Sequence, residues 1–107
     1  MVFTEQRQSA RKILKVKALV ALEGQAPLPA RTADIGANGV SVTLQQPLQV
    51  GQGAQVGFDL LVEGRPATLQ ARVKVMYCIF GGGEFKVGFQ FVNLDLKAMG
   101  HLARFLR

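Results

Sequence analysis

The sequence predicts an all-β domain with one helix: a six-stranded antiparallel β-barrel, a C-terminal α-helix and a flexible N-terminal arm. Three observations carry this prediction. Apolar and polar residues alternate in six short runs, which is the two-residue period of strands with one buried face. Pro and Gly collect between those runs, where chain reversals need their backbone geometry. Only after Asp95 does the apolar spacing change to three and four residues, the period of an amphipathic helix.

Residues 1–11 are polar apart from Phe3 and a few small or terminal side chains, and are expected to form the arm. In the first strand Leu14, Val16, Ala18, Val20 and Leu22 share a face, with Lys15 and Lys17 on the other. Pro27 and Pro29 punctuate a turn before a second strand near Ala30 to Ile35, and a third follows at Val40, Val42 and Leu44. Val56, Phe58, Leu60 and Val62 define the fourth, ended by a turn at Gly64-Arg65-Pro66. Leu69, Ala71, Val73, Val75 and Tyr77 define the fifth. Gly81-Gly82-Gly83 marks a hairpin, beyond which Phe85, Val87, Phe89 and Phe91 line the sixth. Asp95 is placed as the N-cap of a helix whose apolar positions are Met99, Leu102, Ala103 and Leu106, with Gly100 weakening it by about 1 kcal/mol relative to alanine. Closing six short strands into a barrel removes exposed sheet edges. The domain is thus expected to run as arm 1–11, barrel 12–93 and helix 95–106, with no repeats and no second domain.

Composition narrows the function. Almost half of the 107 residues are hydrophobic, enough for a core without metal or disulfide staples. The single cysteine, Cys78, has no internal partner, and its strand context predicts a buried thiol. No signal-like segment and no apolar run of membrane-spanning length, about 18 residues or more, is present; a cytoplasmic protein without membrane insertion is expected. The formal charge is +6, with Arg7, Arg11, Lys12, Lys15 and Lys17 crowded near the N-terminus. Such a cluster attracts phosphates, nucleic acid or acidic proteins, and composition leaves a phosphate ligand and a solvated basic strand equally open. One histidine, one cysteine and seven scattered carboxylates make no catalytic grouping. His101 has no second metal-ligand residue at a useful spacing, and the glycine run precedes a strand rather than the helix of a phosphate-cradling loop. The expectation is no enzyme, no metal and no cofactor.

Two ordered motifs carry chemistry. Arg7-Gln8-Ser9-Ala10-Arg11 places two arginines at the junction of arm and barrel, and Asp34-Ile35-Gly36-Ala37-Asn38-Gly39 joins the second and third strands. A guanidinium is a rigid fork of donors that matches phosphate oxygens or the O6/N7 edge of guanine. A carboxylate at Asp34 can accept from guanine N1 and N2. Gly36 and Gly39 leave the backbone free for positive φ and for close approach to a flat ligand. Asp, Asn and Gly are also ordinary turn residues, and Arg7 and Arg11 read without context are solvated charges.

The sequence resembles the PilZ family, described by RxxxR on a mobile N-terminal segment followed by (D/N)xSxxG on a barrel. Arg7 and Arg11 fit the first motif, and Asp34 and Gly39 fit the ends of the second. Tyr77, the glycine turn and Phe85-Lys86-Val87-Gly88-Phe89-Gln90-Phe91 resemble the family's late hairpin, so the likeness covers nearly the whole chain. It implies a receptor for cyclic di-GMP that changes conformation on binding and regulates motility, exopolysaccharide or biofilm output through a downstream protein partner. The ligand-binding residues implied are Arg7, Arg11, Asp34, Gly36, Asn38, Gly39 and Gly88; Gly88 alternatively relieves barrel curvature. Arg31, Arg72 and Lys74, on outer faces, extend the surface or only solubilise it. The family serine is Gly36 here, a loss of one hydroxyl for which Asn38 or Ser41 is a candidate substitute. Gln6 precedes the first arginine, where family members differ in ligand stoichiometry. Two alternatives remain: a PilZ-like scaffold that acts by protein contact without nucleotide, and a barrel for single-stranded nucleic acid. The placement of Tyr77 and six of the seven phenylalanines on core faces or the helix argues against the second, since base stacking needs exposed rings; no DNA or RNA partner is expected.

Overall fold

The computed structural model describes residues 11–107. Arg7, Gln6 and the rest of the expected arm up to residue 10 lie outside the described residues. The elements are β1 (Arg11–Ile13), β2 (Lys17–Ala21), β3 (Leu28–Gly36), β4 (Gly39–Leu44), β5 (Gly53–Val62), β6 (Arg65–Gly81), β7 (Glu84–Asn93) and α1 (Leu96–Leu106). Strands β2 to β7 form a closed antiparallel barrel in the order β3, β2, β5, β6, β7, β4, with β4 pairing back to β3. β1 is one extra segment beside the Gly36 end of β3, while β2 lies beside its Leu28 end.

Six barrel strands match the six apolar runs, and the extra segment has a physical origin. The expected first strand is split at Leu14–Val16, opposite a β-bulge between Thr32 and Asp34. Thr32, 2% exposed, fills the gap in the ladder. Its hydroxyl accepts from the Val16 amide at 2.9 Å and donates to the Leu14 carbonyl. Buried backbone groups must find partners, and here a side chain supplies them. Arg11, expected at the end of the arm, is the first residue of β1 and pairs with Gly36.

Two of the three prolines expected in turns, Pro29 and Pro66, instead sit second in β3 and β6, positions near strand ends where a missing N–H is tolerated; Pro27 precedes β3. The β5–β6 reversal uses Glu63 and Gly64, and the β6–β7 hairpin turns on Gly82 and Gly83 at φ 62° and 83°. Paired positive φ values suit the twist of a two-residue hairpin.

Inward residues of all six strands, among them Val20, Ile35, Val42, Leu60, Leu69 and Val87, are fully buried. A second bulge lies between Val75 and Tyr77. The extra residue inverts the alternation, so Tyr77 faces outward, 38% exposed, and Cys78 turns inward but is only half-buried. Tyr77 is therefore not a core residue as its period suggests. Phe80 is not either: it lies at the end of the long hairpin, 64% exposed, against Phe85 with ring centroids 4.9 Å apart.

α1 begins at its expected cap, where the Asp95 carboxylate accepts from the Ala98 amide at 2.8 Å. It packs on β5 and β6 through Ala98 and Leu102, with Phe105 and Leu106 partly buried. Met99 and Ala103, expected inward, face away; the buried face is rotated by about one residue. At the other end Lys12 donates to the main-chain oxygens of Phe105 and Arg107 at 3.0 and 3.2 Å, and its ammonium lies 5.5 Å from the Phe105 ring centroid. A cation at a helix C-terminus is favourable, and it ties β1 to α1.

Candidate functional site

Asp34 stands on the outer side of β3, flanked by Ile13 of β1 and Ser41 of β4. The Arg11 Nε donates to Asp34 Oδ1 at 2.8 Å, and Arg11 Nη2 lies 2.7 Å from the same oxygen. Ser41 Oγ adds a third donor to Oδ1 at 3.0 Å. The second oxygen, Oδ2, faces Lys86 Nζ at 4.0 Å. The guanidinium thus spends two donors on one oxygen and leaves the other less engaged.

Partial burial of Asp34 works against its charge. The hydrogen bonds from Arg11 and Ser41 and the positive charges of Arg11 and Lys86 outweigh that penalty and hold the carboxyl below its ordinary range. Asp34 is therefore an ionised, acceptor-only group at neutral pH. Its position is fixed by Ser41, itself 1% exposed.

The other sequence-derived residues fall around this pair. Gly36 closes β3 opposite Arg11, and Asn38 is exposed in the β3–β4 turn, its carbonyl accepting from the Phe91 amide at 2.9 Å. Gly39 opens β4 and lacks the positive φ its motif suggested. The reason for glycine there is contact: a Cβ would lie 2.0 Å from the Phe89 carbonyl oxygen, so only glycine lets β4 and β7 pair at this point. Gly36 is likewise absent from the glycines with positive φ. Gly88 is opposite Ser41 and Tyr77, and the Tyr77 ring lies across it, 2.1 Å from where a Cβ would be. The close approach at Gly88 is thus made by Tyr77.

Arg11, Asp34 and Gly36 are brought together on β1 and β3; Gly39 and Asn38 sit at the adjoining turn. Arg31 is exposed on the same strand as Asp34, while Arg72 and Lys74 line a separate hollow of about 770 Å³. Two contributors were not legible as such. Lys86 alternates with buried neighbours like any outward strand residue, and only the β4–β7 register and the bulge in β3 carry it toward Asp34. Ser41, considered only as a substitute hydroxyl for the ligand, is committed to Asp34. His101 lies 3.3 Å from Arg104 Nη2, and no group of three potential metal ligands occurs among the described residues.

The comparisons with known proteins bear on this geometry. The PilZ domain family matches the chain over residues 5–107. No curated protein matches it. Among solved structures, the Bacillus subtilis inhibitor of motility MotI/DgrA superposes with a TM-score of 0.79 at 16% identity, covering 95% of this chain and 53% of that one. Escherichia coli YcgR, solved in complex with c-di-GMP, gives 0.72 at 19% identity over 92% of this chain and 43% of that one. The PilZ domain of CeSA from a cellulose-synthesizing bacterium gives 0.60 at 20% identity, covering 92% of this chain and 95% of that domain. The chain therefore spans about half the length of MotI and less of YcgR, but nearly all of the CeSA domain. At these identities the superpositions speak for a shared fold.

Proposed function

This chain belongs to the PilZ domain family, and from that premise we propose that it is a cytoplasmic receptor for cyclic di-GMP that works by a change of surface rather than by catalysis. The observation that carries the reading is the Asp34–Arg11 pair: an ionised carboxylate and a guanidinium, joined at 2.7 Å on the barrel's outer side, at the positions where the family's two motifs meet. Guanine presents N1–H and N2–H side by side, and a carboxylate accepts both. A ligand guanine at Asp34 competes with the Arg11 fork, and the displaced fork turns to a ligand phosphate or to the O6/N7 edge of a base. Asp34 exchanges the guanidinium for the two neutral guanine donors, and Arg11 exchanges the carboxylate for ligand acceptors, so neither is left unpaired. Lys86 adds positive charge beside a dianionic ligand, and Arg7 supplies the second guanidinium of the motif. Gly36, Asn38 and Gly39 form the turn that borders the ligand, with Gly88 and its covering Tyr77 ring at the far side.

Lys12 gives the exchange an outlet. It is the neighbour of Arg11 and holds the end of α1, so rearrangement of β1 alters the helix terminus that a partner protein would meet. The named neighbours, an inhibitor of motility and a YcgR complex with c-di-GMP, support a role in motility control. The test is calorimetric titration of the chain with cyclic di-GMP, with cyclic di-AMP as the adenine control. Saturable, guanine-selective heat is the expected result; no heat at high-micromolar ligand sinks the reading.

One observation favours a second reading. Gly36 removes the family serine, and Ser41 is already engaged by Asp34, so the closed Arg11–Asp34 pair also fits a PilZ scaffold that acts by protein contact alone. The same titration separates the two.

A further inference from the structure

A hollow of about 970 Å³ lies across the outer faces of β2, β3 and β5, and neither Arg11 nor Asp34 lines it. Its floor is apolar. Leu19, 55% exposed, is paired with Pro29 on one side and Gly57 on the other, and Ala21 and Pro27 extend the floor.

Gly57 is the informative residue. It sits in the interior of β5, where glycine weakens a strand. Its φ is not positive, and a Cβ there would meet nothing closer than Gln70 Cγ at 3.7 Å. Gly39 and Gly88 are required by their neighbours; Gly57 is required by neither backbone nor packing. What the missing side chain leaves is an open floor, the second use of a strand glycine, which is to admit something from outside.

The rim supplies charge and hydrogen bonds. Lys17 and Arg31 are direct cross-strand partners, an arrangement of like charges that destabilises a sheet. Among the described residues neither lies within 4.0 Å of a carboxylate. Gln55 of β5, Gln70 of β6 and Gln45, just beyond the end of β4, edge the same hollow, and each amide offers both donors and an acceptor, as a peptide main chain requires. Nucleic acid fits poorly: the one aromatic side chain at the hollow, Phe58, is 4% exposed, so there is no ring on which to stack a base, and Asp59 and Glu84 on the rim repel a polyphosphate.

We propose that this hollow docks a short extended segment of a partner protein in which an acidic residue neighbours an apolar one. The carboxylate lies between Lys17 and Arg31 and relieves their repulsion. The apolar side chain rests on Leu19, Pro29 and the opening at Gly57, and the main chain meets the glutamine amides. This site is independent of the nucleotide reading and stands if that reading fails.

The test is selection from a displayed hexapeptide library on the immobilised full chain, followed by titration of the synthetic consensus peptide. The expected consensus pairs Asp or Glu with a large apolar residue. Gly57→Val and Lys17→Glu should each weaken its binding at least tenfold, while Gly57→Val keeps or raises the melting temperature and leaves cyclic di-GMP titration unchanged. Gly57→Ala, a milder filling of the floor, serves if valine disturbs the fold and should weaken binding severalfold. A failure to enrich any sequence over bare support, a basic consensus, peptide binding indifferent to Gly57, or displacement of the peptide by a single-stranded oligonucleotide overturns the proposal.

Discussion

The Tyr77 ring occupies the space that a side chain at residue 88 would need: a Cβ on Gly88 would fall 2.1 Å from Tyr77 Cε2 and 2.4 Å from its Cζ. The bulge between Val75 and Tyr77 turns the tyrosine outward, and the glycine opposite, itself paired with Ser41 on its other side, leaves room for the ring.

Gly88→Ala should therefore displace the ring. Overpacking of this kind costs about 1–3 kcal/mol, here toward the low end because the ring is partly exposed and can swing out. In urea unfolding the penalty should shrink by at least half in the Tyr77→Ala background, the coupling expected of residues in contact. Equal penalties in both backgrounds would mean that the ring does not fill that space.

Gly39→Ala meets a harder obstacle, because the atom in the way is the main-chain Phe89 oxygen at 2.0 Å. No rotamer relieves it, so β4 and β7 must part locally. A loss of about 2–4 kcal/mol, read as a lower urea midpoint, is expected, larger than that of Gly88→Ala.

The Asp34 carboxyl should titrate below the ordinary carboxylate range by carboxyl NMR, since Arg11, Ser41 and Lys86 outweigh its desolvation. Because folding depresses this pKa, the pair's contribution to stability is fully present above about pH 3.9, the unfolded value, and is lost as pH falls through the folded value. Arg11→Ala should move the titration upward and flatten that part of the acid-stability profile. An unshifted midpoint in the variant would show that the pair does not persist in solution.

Gly36→Ser restores the hydroxyl of the family motif. One neutral hydrogen bond contributes about 0.5–1.5 kcal/mol, so cyclic di-GMP should bind roughly two- to tenfold more tightly by calorimetry. An unchanged affinity would place the ligand away from β3.

Much of the fold was legible because its signals are local. The two-residue alternation located all six barrel strands, the three glycines located the β6–β7 hairpin, and Asp95 capped α1 as its spacing suggests. The errors occur where a single extra residue or a distant neighbour decides. A bulge leaves no mark in an apolar pattern, so the split at Leu14–Val16 and the outward turn of Tyr77 could not be read. The motif identified Asp34 and Arg11, but their union, the fixing role of Ser41 and the approach of Lys86 depend on strand register. For Gly39 the residue type was informative and the reason was not: the sequence suggests backbone freedom, whereas a facing carbonyl forbids a Cβ.

The account rests on a trade in which ligand replaces Arg11 at Asp34 and arginine takes up the ligand in turn. Calorimetric titration of cyclic di-GMP into the parent and into the Arg7→Ala/Arg11→Ala variant measures it most directly. The account predicts that the double variant, with its melting temperature within a few degrees of the parent, binds at least about 30-fold more weakly, the ratio for 2 kcal/mol. Equal affinity in parent and variant would contradict it.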